Sequence, residues 1–368
     1  MRLVSLKLEQ FRNYSSLELP LDDGAIHLFR GPNGSGKTNL LEAIGVLSLT
    51  KSCRGKEEQD MVQWGENHYR VRGEVESDHG DRTRLEVVAE VRPRKRKAYF
   101  LNDVKTSLLQ FVGFLPSVTF LPQDLHLFEG PPAERRRFID QLLSQVSPDY
   151  LTAFSAYHKV LHQRNALLRR IAEGAEKEAS LTLWDRELAA KGAIITRSRL
   201  ELIEMLNLSF LAEVQHLGEH WKEAKLLYLR KGTEQEASAI EAEMIALLEE
   251  HRPRDLILGS TSIGPHRDDW SVEADGKVLQ TFASRGQERV VVLALLFLEV
   301  SFLEMRRGER PVVLLDDAFS ELDDHHQRAL LDALKAHQVL LTATRMPPDA
   351  RAIRMWEVAD GRAGMVVS

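Results

Sequence analysis

Cysteine is almost missing from this chain: Cys53 is the only one in 368 residues. No disulfide can form within the chain, and no CxxC pair exists for redox or metal chemistry. A reduced, cytosolic setting fits that scarcity, and Cys53 itself reads as a small, half-buried hydrophobe. Long apolar runs are also missing. The greasiest stretch, Val290 to Leu298, stops at Glu299. It is too short to span a bilayer, so it reads as a core helix, and no membrane partner is expected. The opening residues, MRLVSLKLEQFRNY, alternate like a strand and lack the apolar centre of a signal peptide. There is no internal repeat and no low-complexity tract. Excess positive charge is missing too. A net charge of -6 argues mildly against nucleic acid, although local basic clusters act within roughly 8–10 Å whatever the total.

What is present suits a folded α/β protein. Hydrophobic residues make up 43% of the chain, enough for a large core, and the length suggests two or three domains. Val4, Leu6 and Leu8 alternate with Ser5, Lys7 and Glu9, and a second apolar run, Ala25 to Phe29, leads into a glycine-rich loop. Beyond the loop, Leu40, Leu41, Ile44 and Leu47 share a helical face. Residues 68–104 return to strand alternation, with Leu85, Val87, Ala89 and Val91 on one side. Turns are expected at Asp78–Asp81 and, more weakly, at Asn102-Asp103, giving an antiparallel subdomain. Residues 131–250 are mainly helical. Phe154, Leu161 and Leu168 recur every seven, with Tyr157 and Ile171 between them. Leu181, Leu188, Ile195 and Leu202 repeat the pattern after a break near Gly174. Two such seams predict an antiparallel helical hairpin with arms of about 25 residues, in spite of Arg164, Lys191 and Ser198 on the seams. Ordinary core-packing helices are the other reading.

Gly31-Pro32-Asn33-Gly34-Ser35-Gly36-Lys37-Thr38 fits GxxxxGKT in full and falls between a strand and a helix. The chemistry requires those residue types. Glycines let backbone N–H groups turn inward around a phosphate, and the lysine neutralises β- and γ-oxygens. The threonine hydroxyl binds Mg²⁺. ATP and Mg²⁺ are the expected ligands, with Lys37 acting in catalysis as well as in binding. Val312-Val313-Leu314-Leu315-Asp316-Asp317 reads as a buried strand ending in two carboxylates. Asp316 is expected to hold the metal beside Thr38, and Asp317 to polarise the attacking water. Either aspartate could instead cap a helix.

Ser284-Arg285-Gly286-Gln287-Glu288 precedes a strongly apolar helix, with capping-box spacing between Ser284 and Gln287. Together with Ser320-Glu321-Leu322-Asp323 after the carboxylates, the order of parts resembles the ABC ATPase layout. In that superfamily the signature, here Ser284, Gly286 and Gln287, contacts the γ-phosphate held by a second copy. The distance from Lys37 to Asp316 is similar to that of SMC-type heads, which carry a helical insertion. Local strings narrow the resemblance to the RecF family, the bacterial recombination mediators. They are Phe11-Arg12-Asn13-Tyr14, the stretch Gly130 to Asp140 with Arg135, Arg136 and Arg137, the motif Gly264-Pro265-His266-Arg267-Asp268-Asp269, and Ser284-Arg285-Gly286-Gln287.

That resemblance implies an ABC-type P-loop ATPase head with an antiparallel β subdomain and an inserted, mainly helical arm domain. The expected divisions are 1–128 and 255–368 for the head and 129–254 for the arm. It also implies Arg12 and Asn13 near the nucleotide, Gln123 at the Q-loop position, and Thr344 where transporter ATPases use a switch-loop histidine. The implied function is an ATP-driven homodimeric clamp on double-stranded DNA and single-strand/double-strand junctions. It would hydrolyse ATP slowly and work with RecR and RecO to load recombinase in repair, replication restart and the SOS response. His266 and Arg267 could equally be a structural pair, and the three arginines a salt-bridged helix face. Arg92, Arg94, Lys95, Arg96 and Lys97 crowd one predicted hairpin edge, where they could touch DNA phosphates or simply guard the edge from pairing. The competing readings are a long-armed SMC or break-repair head, a transporter energy subunit, and a small-molecule kinase. A short insertion without a hook CxxC disfavours the first. The RecF-type strings disfavour the second, and no acceptor pocket supports the third.

Overall fold

The computed structural model describes every residue except 22–25, 55–56, 321, 344–352 and 367–368. Ala25, Glu321 and Thr344 therefore lie outside the described residues. The chain divides into two compact units. Met1–His126 joins Arg289–Ser368 in the first, and Leu127–Glu288 forms the second.

The first unit holds two six-stranded sheets. One is antiparallel, in the order β2-β1-β4-β5-β6-β7. Its strands are β1 (Arg2–Phe11), β2 (Tyr14–Pro20), β4 (His68–Glu76), β5 (Arg82–Glu90), β6 (Arg96–Leu101) and β7 (Val104–Thr106). Period-two alternation turns Leu6 and Leu8 inward and Lys7 and Glu9 outward along β1. The outward face is laced with ion pairs, among them Arg72–Glu86 at 2.9 Å and Arg84–Asp103 at 2.9 Å. Asn102 and Asp103, both with positive φ (49° and 66°), form the two-residue turn between β6 and β7.

The second sheet runs β15-β14-β3-β13-β12-β8. It comprises β3 (Ile26–Arg30), β8 (Ser117–Phe120), β12 (Val312–Asp316), β13 (Val339–Ala343), β14 (Ile353–Ala359) and β15 (Arg362–Met365). All pairs are parallel except β14 with β15. All five residues of β12 and of β13 are buried, as continuous apolar runs in a parallel sheet should be. Helix α1 (Lys37–Leu49) touches both sheets and is buried on nearly every side. Its lack of a polar face is the signature of a helix enclosed by sheets. Short helices α2 (Glu58–Met61) and α3 (Leu108–Phe111) and the longer α11 (Asp324–Leu334) also belong to this unit.

The second unit is mainly helical: α4 (Pro132–Val146), α5 (Pro148–Ala172), α6 (Leu181–His216), α7 (Ala237–Glu250), α8 (Arg252–Leu258) and α9 (Leu279–Phe282). A three-stranded antiparallel sheet accompanies them, with β9 (Ala224–Leu229) and β11 (Lys277–Val278) flanking β10 (Asp269–Ala274). Because β9 pairs with β10, residues beyond 254 fold with this unit. Helices α5 and α6 pack as a hairpin of unequal arms, 25 and 36 residues. Leu181, Leu188, Ile195 and Leu202 are all buried. Arg164, which looks like a flaw in the seam, is fully buried and bonds Asp185 at 2.7 Å and Asp255 at 2.8 Å. Helix α10 (Arg285–Arg307) starts at the edge of this unit and continues into the first. Its run from Val290 to Leu298 is buried. Among the described residues no helix is long and apolar enough to cross a membrane.

Candidate functional site

Four parallel strands of the first unit bring their carboxyl ends together. In register, Phe29 of β3 lies beside Thr342 of β13, Thr342 beside Asp316 of β12, and Leu315 beside Phe120 of β8. Ligands of open parallel sheets bind outside such ends. The loop Gly31–Gly36 leaves β3 there and opens α1 with Lys37 and Thr38.

The loop's glycines have specific causes. A Cβ on Gly31 would stand 2.2 Å from the Val358 carbonyl oxygen. Gly36 has φ 108°, and a Cβ there would meet the Asn13 amide at 2.4 Å. The β1–β2 turn clamps the loop from outside. Asn13 Nδ2 donates to the Ser35 carbonyl at 3.0 Å, Tyr14 donates its hydroxyl to the Gly36 carbonyl at 3.0 Å, and Asn39 Nδ2 donates to Asn13 Oδ1 at 2.8 Å.

The donor set fits phosphate. Lys37 Nζ curls back to the Gly31 and Pro32 carbonyls at 2.7 and 3.0 Å, while the buried Ser35 Oγ has no hydrogen-bond partner among the described residues. Pro32, Asn33 and Gly34 stand exposed at the loop's tip. It also fits a small hard cation. Thr38 Oγ1 lies 2.9 Å from both oxygens of Asp316, and Thr342 donates to Asp316 Oδ1 at 2.6 Å. Among the described residues no group of three or more His, Cys, Asp or Glu could hold a metal. An ion here would take Thr38, Asp316 and oxygens of the ligand itself, as Mg²⁺ usually does. Asp317, half-buried, has a left-handed backbone (φ 47°), and its N–H donates to the Thr342 carbonyl at 3.1 Å and hydroxyl at 2.9 Å.

Thr342 escapes a reading of the sequence. Its only signal is a hydroxyl ending the apolar run Val339–Leu341. Gln123 is exposed on a short 3₁₀ turn, Pro122–His126, just beyond β8 and on the same sheet edge. Arg12 stands on the same turn as Asn13. Its guanidinium makes a two-pronged ion pair with Glu42, at 2.7 and 2.8 Å, and reaches the Asp60 carbonyl. Glu42 is fully buried on α1, so Arg12 neutralises a charge inside the core and, through it, holds Asn13 at the loop. Cys53 is buried, and burial pushes its thiol up to about 12, so it stays neutral.

In the second unit, Ser284 and Gln287 form the reciprocal bonds of a capping box. Ser284 N–H donates to Gln287 Oε1 at 3.0 Å, and Gln287 N–H to Ser284 Oγ at 3.3 Å. Ser284 and Gly286 are exposed at the start of α10. The motif Gly264–Asp269 is a structural hub. Asp269 takes a two-pronged pair from Arg135 at 2.8 Å, Arg136 donates to the Asp268 carbonyl, and Arg199 donates to the Pro265 carbonyl at 2.7 Å. His266 Nδ1 lies 2.7 Å from the Tyr157 hydroxyl and Nε2 3.0 Å from the Thr261 carbonyl. Burial depresses its imidazole to about 4, so the ring is neutral at pH 7. Of the basic run, Arg92, Arg94, Lys95 and Arg96 are exposed around the β5–β6 turn. Lys97 points inward to Glu58 at 2.7 Å and to the Thr50 carbonyl.

A protein of Moorella thermoacetica called DNA replication and repair protein RecF is 37% identical over 371 residues, which cover 100% of this chain and 97% of that one. The chain belongs to the RecF family. The model of the RecF/RecN/SMC N-terminal domain matches residues 2–364. A RecF of Geobacillus thermodenitrificans is 36% identical over 94% of this chain and 93% of its own. Among solved structures, the recombination mediator protein RecF-ATPrS of the RecFOR pathway superposes with a TM-score of 0.91 at 30% identity, covering 100% of this chain and 98% of that one. An SMC head bound to the C-winged helix domain of ScpA covers 100% and 97% with a TM-score of 0.53 at 17% identity, a likeness of fold alone. The expected ABC-type head with a helical arm is thus the fold of this RecF-family chain.

Proposed function

We propose that this chain is a RecF-type DNA replication and repair protein that binds ATP with Mg²⁺ and uses it to pair two copies on DNA. One observation carries the reading: the hydroxyl of Thr38, the last residue of a complete P-loop, meets the Asp316 carboxylate from the end of β12 at 2.9 Å. The ATP-bound RecF structures that this fold matches support the same ligand. Lys37 leaves the loop carbonyls for the β- and γ-phosphates, and Ser35 Oγ gains its missing partner. Mg²⁺, when bound, spreads the phosphate charge. Asp317 polarises the attacking water, Gln123 lies on the same edge, and turnover is slow because ATP acts as a switch.

The start of α10, exposed at Ser284, Arg285 and Gly286, is the surface a second copy's γ-phosphate would meet. A helix start offers free N–H groups and a favourable dipole to an anion. ATP then favours the dimer because only the dimer makes both sets of contacts. We read the dimer as a clamp on double-stranded DNA and single-strand/double-strand junctions. It would cooperate with RecR and RecO to load recombinase, in keeping with a relative described as a mediator in the RecFOR pathway. A fluorescent ATP analogue tests the nucleotide step. Wild type should bind it tightly only with Mg²⁺, and Lys37→Met and Asp316→Asn should each weaken binding at least tenfold. Equal affinity in all three proteins would refute the assignment.

A further inference from the structure

The six-stranded antiparallel sheet treats its cations in two ways. Across its outward face they are paired: Lys7 with Glu18, Arg70 with Glu9 and Glu86, Arg72 with Glu86, and Arg82 with Glu74 and Glu76. At the β5–β6 turn Arg92, Arg94, Lys95 and Arg96 are exposed and have no ion pair with any described residue. Lys51 is exposed close by, near enough to weaken the charged form of Lys97.

The hydrogen-bond ladder brings one further residue to this corner. His68 opens β4 opposite Glu90, and Glu90 lies opposite Arg96. Val91 N–H donates to the Asn67 carbonyl at 2.8 Å, so the residue before β4 adjoins the start of the basic turn, and the segment leading into β4 lies at the same end of the sheet as that turn. Three residues before Asn67 stands Trp64, 98% exposed. Its backbone is firmly mounted. Val62 bridges to Phe11, Gln63 N–H donates to the Gln10 carbonyl at 2.8 Å, and Glu66 N–H donates to the Gln63 carbonyl at 3.0 Å. Gly65, with φ 92° and open space around it, lets the turn project.

A large aromatic face held out into water at the same end of a sheet as exposed cations is the combination that single-stranded nucleic acid uses. The cations track phosphates, and each ring takes a base face. A paired base inside a duplex has no free face to offer. We propose that Trp64 is a stacking platform for an unpaired DNA base whose backbone the cations of the β5–β6 turn hold. Trp64 is thereby a specificity residue that selects junctions and gaps over plain duplex. The proposal rests on the DNA-binding reading above and adds a residue and a base-level contact to it.

The test uses the full chain and three oligonucleotides: a duplex, the same duplex with a single-stranded overhang, and that overhang with abasic sites in place of bases. Trp64→Ala should lower affinity for the overhang between about fivefold and about a hundredfold, the range of one lost stack. It should change binding to the duplex and to the abasic overhang less than twofold. Trp64→Phe should keep most of the preference. Replacing the four turn cations with glutamine should weaken all three substrates together, most strongly at low salt. The stacking role is overturned if the overhang-to-duplex ratio is the same in wild type and Trp64→Ala, or if Trp64→Ala changes the oligomer mass instead. If wild type binds no oligonucleotide in a salt-dependent way, the DNA reading itself fails and stacking falls with it. Trp64 is exposed, so its variants should keep the wild-type melting temperature.

Discussion

Arg12 and Glu42 illustrate what a single buried charge demands. A carboxylate inside the core needs a partner, and Arg12 supplies it from the turn that also clamps the P-loop. Arg12→Ala should be strongly destabilising, and Arg12→Ala combined with Glu42→Gln should recover part of the loss. A coupling of about 1–3 kcal/mol in denaturant unfolding is the expected reading. At Asp317 the test is kinetic. Asparagine tolerates the same left-handed backbone, so Asp317→Asn should bind ATP and dimerise while hydrolysis falls on the order of a hundredfold or more, measured by phosphate release. His266 carries a pH prediction. Its imidazole titrates near 4 when folded and near 6.5 when free, so the unfolded chain binds the extra proton. Stability is therefore full above about 6.5 and lost as pH falls through that window toward 4. His266→Gln should flatten the lower part of a melting-temperature profile.

At the scale of elements, charge placed where a pattern expects apolarity had structural meaning. Arg164 sits on the α5 seam and is answered by Asp185 from α6 and Asp255 from α8. Arg164→Ala should cost about 3–5 kcal/mol in unfolding, because Asp255 loses its buried cation and Asp185 keeps only Arg252. Heptad spacing marked both helices of the hairpin, but α6 runs 36 residues, since the same helix goes on to pack against β9. The basic turn separates likewise. Arg92, Arg94, Lys95 and Arg96 should set the salt dependence of DNA binding, each lost phosphate contact lowering the slope by about 0.7–0.9. Lys97→Gln should instead lower the melting temperature, because Lys97 ties β6 to α2. The P-loop, the carboxylate strand and the helix cap were legible in the sequence because each demands particular residues at fixed local spacing. Thr342, Tyr14 and the Arg12–Glu42 pair were not. Their roles depend on which strand lies beside which, a long-range fact that no local spacing encodes.

At the scale of the whole molecule, the P-loop lies in one unit and the start of α10 in the other. Two copies that share their ATP must draw on both units at each nucleotide. Light scattering with Mg²⁺, with and without ATP, on wild type, Lys37→Met and Ser284→Arg measures that sharing. Wild type should double in mass only with ATP. Lys37→Met should stay single, and Ser284→Arg should bind ATP without doubling. Wild type staying single with ATP even when DNA is added, or Ser284→Arg doubling as wild type does, would contradict it.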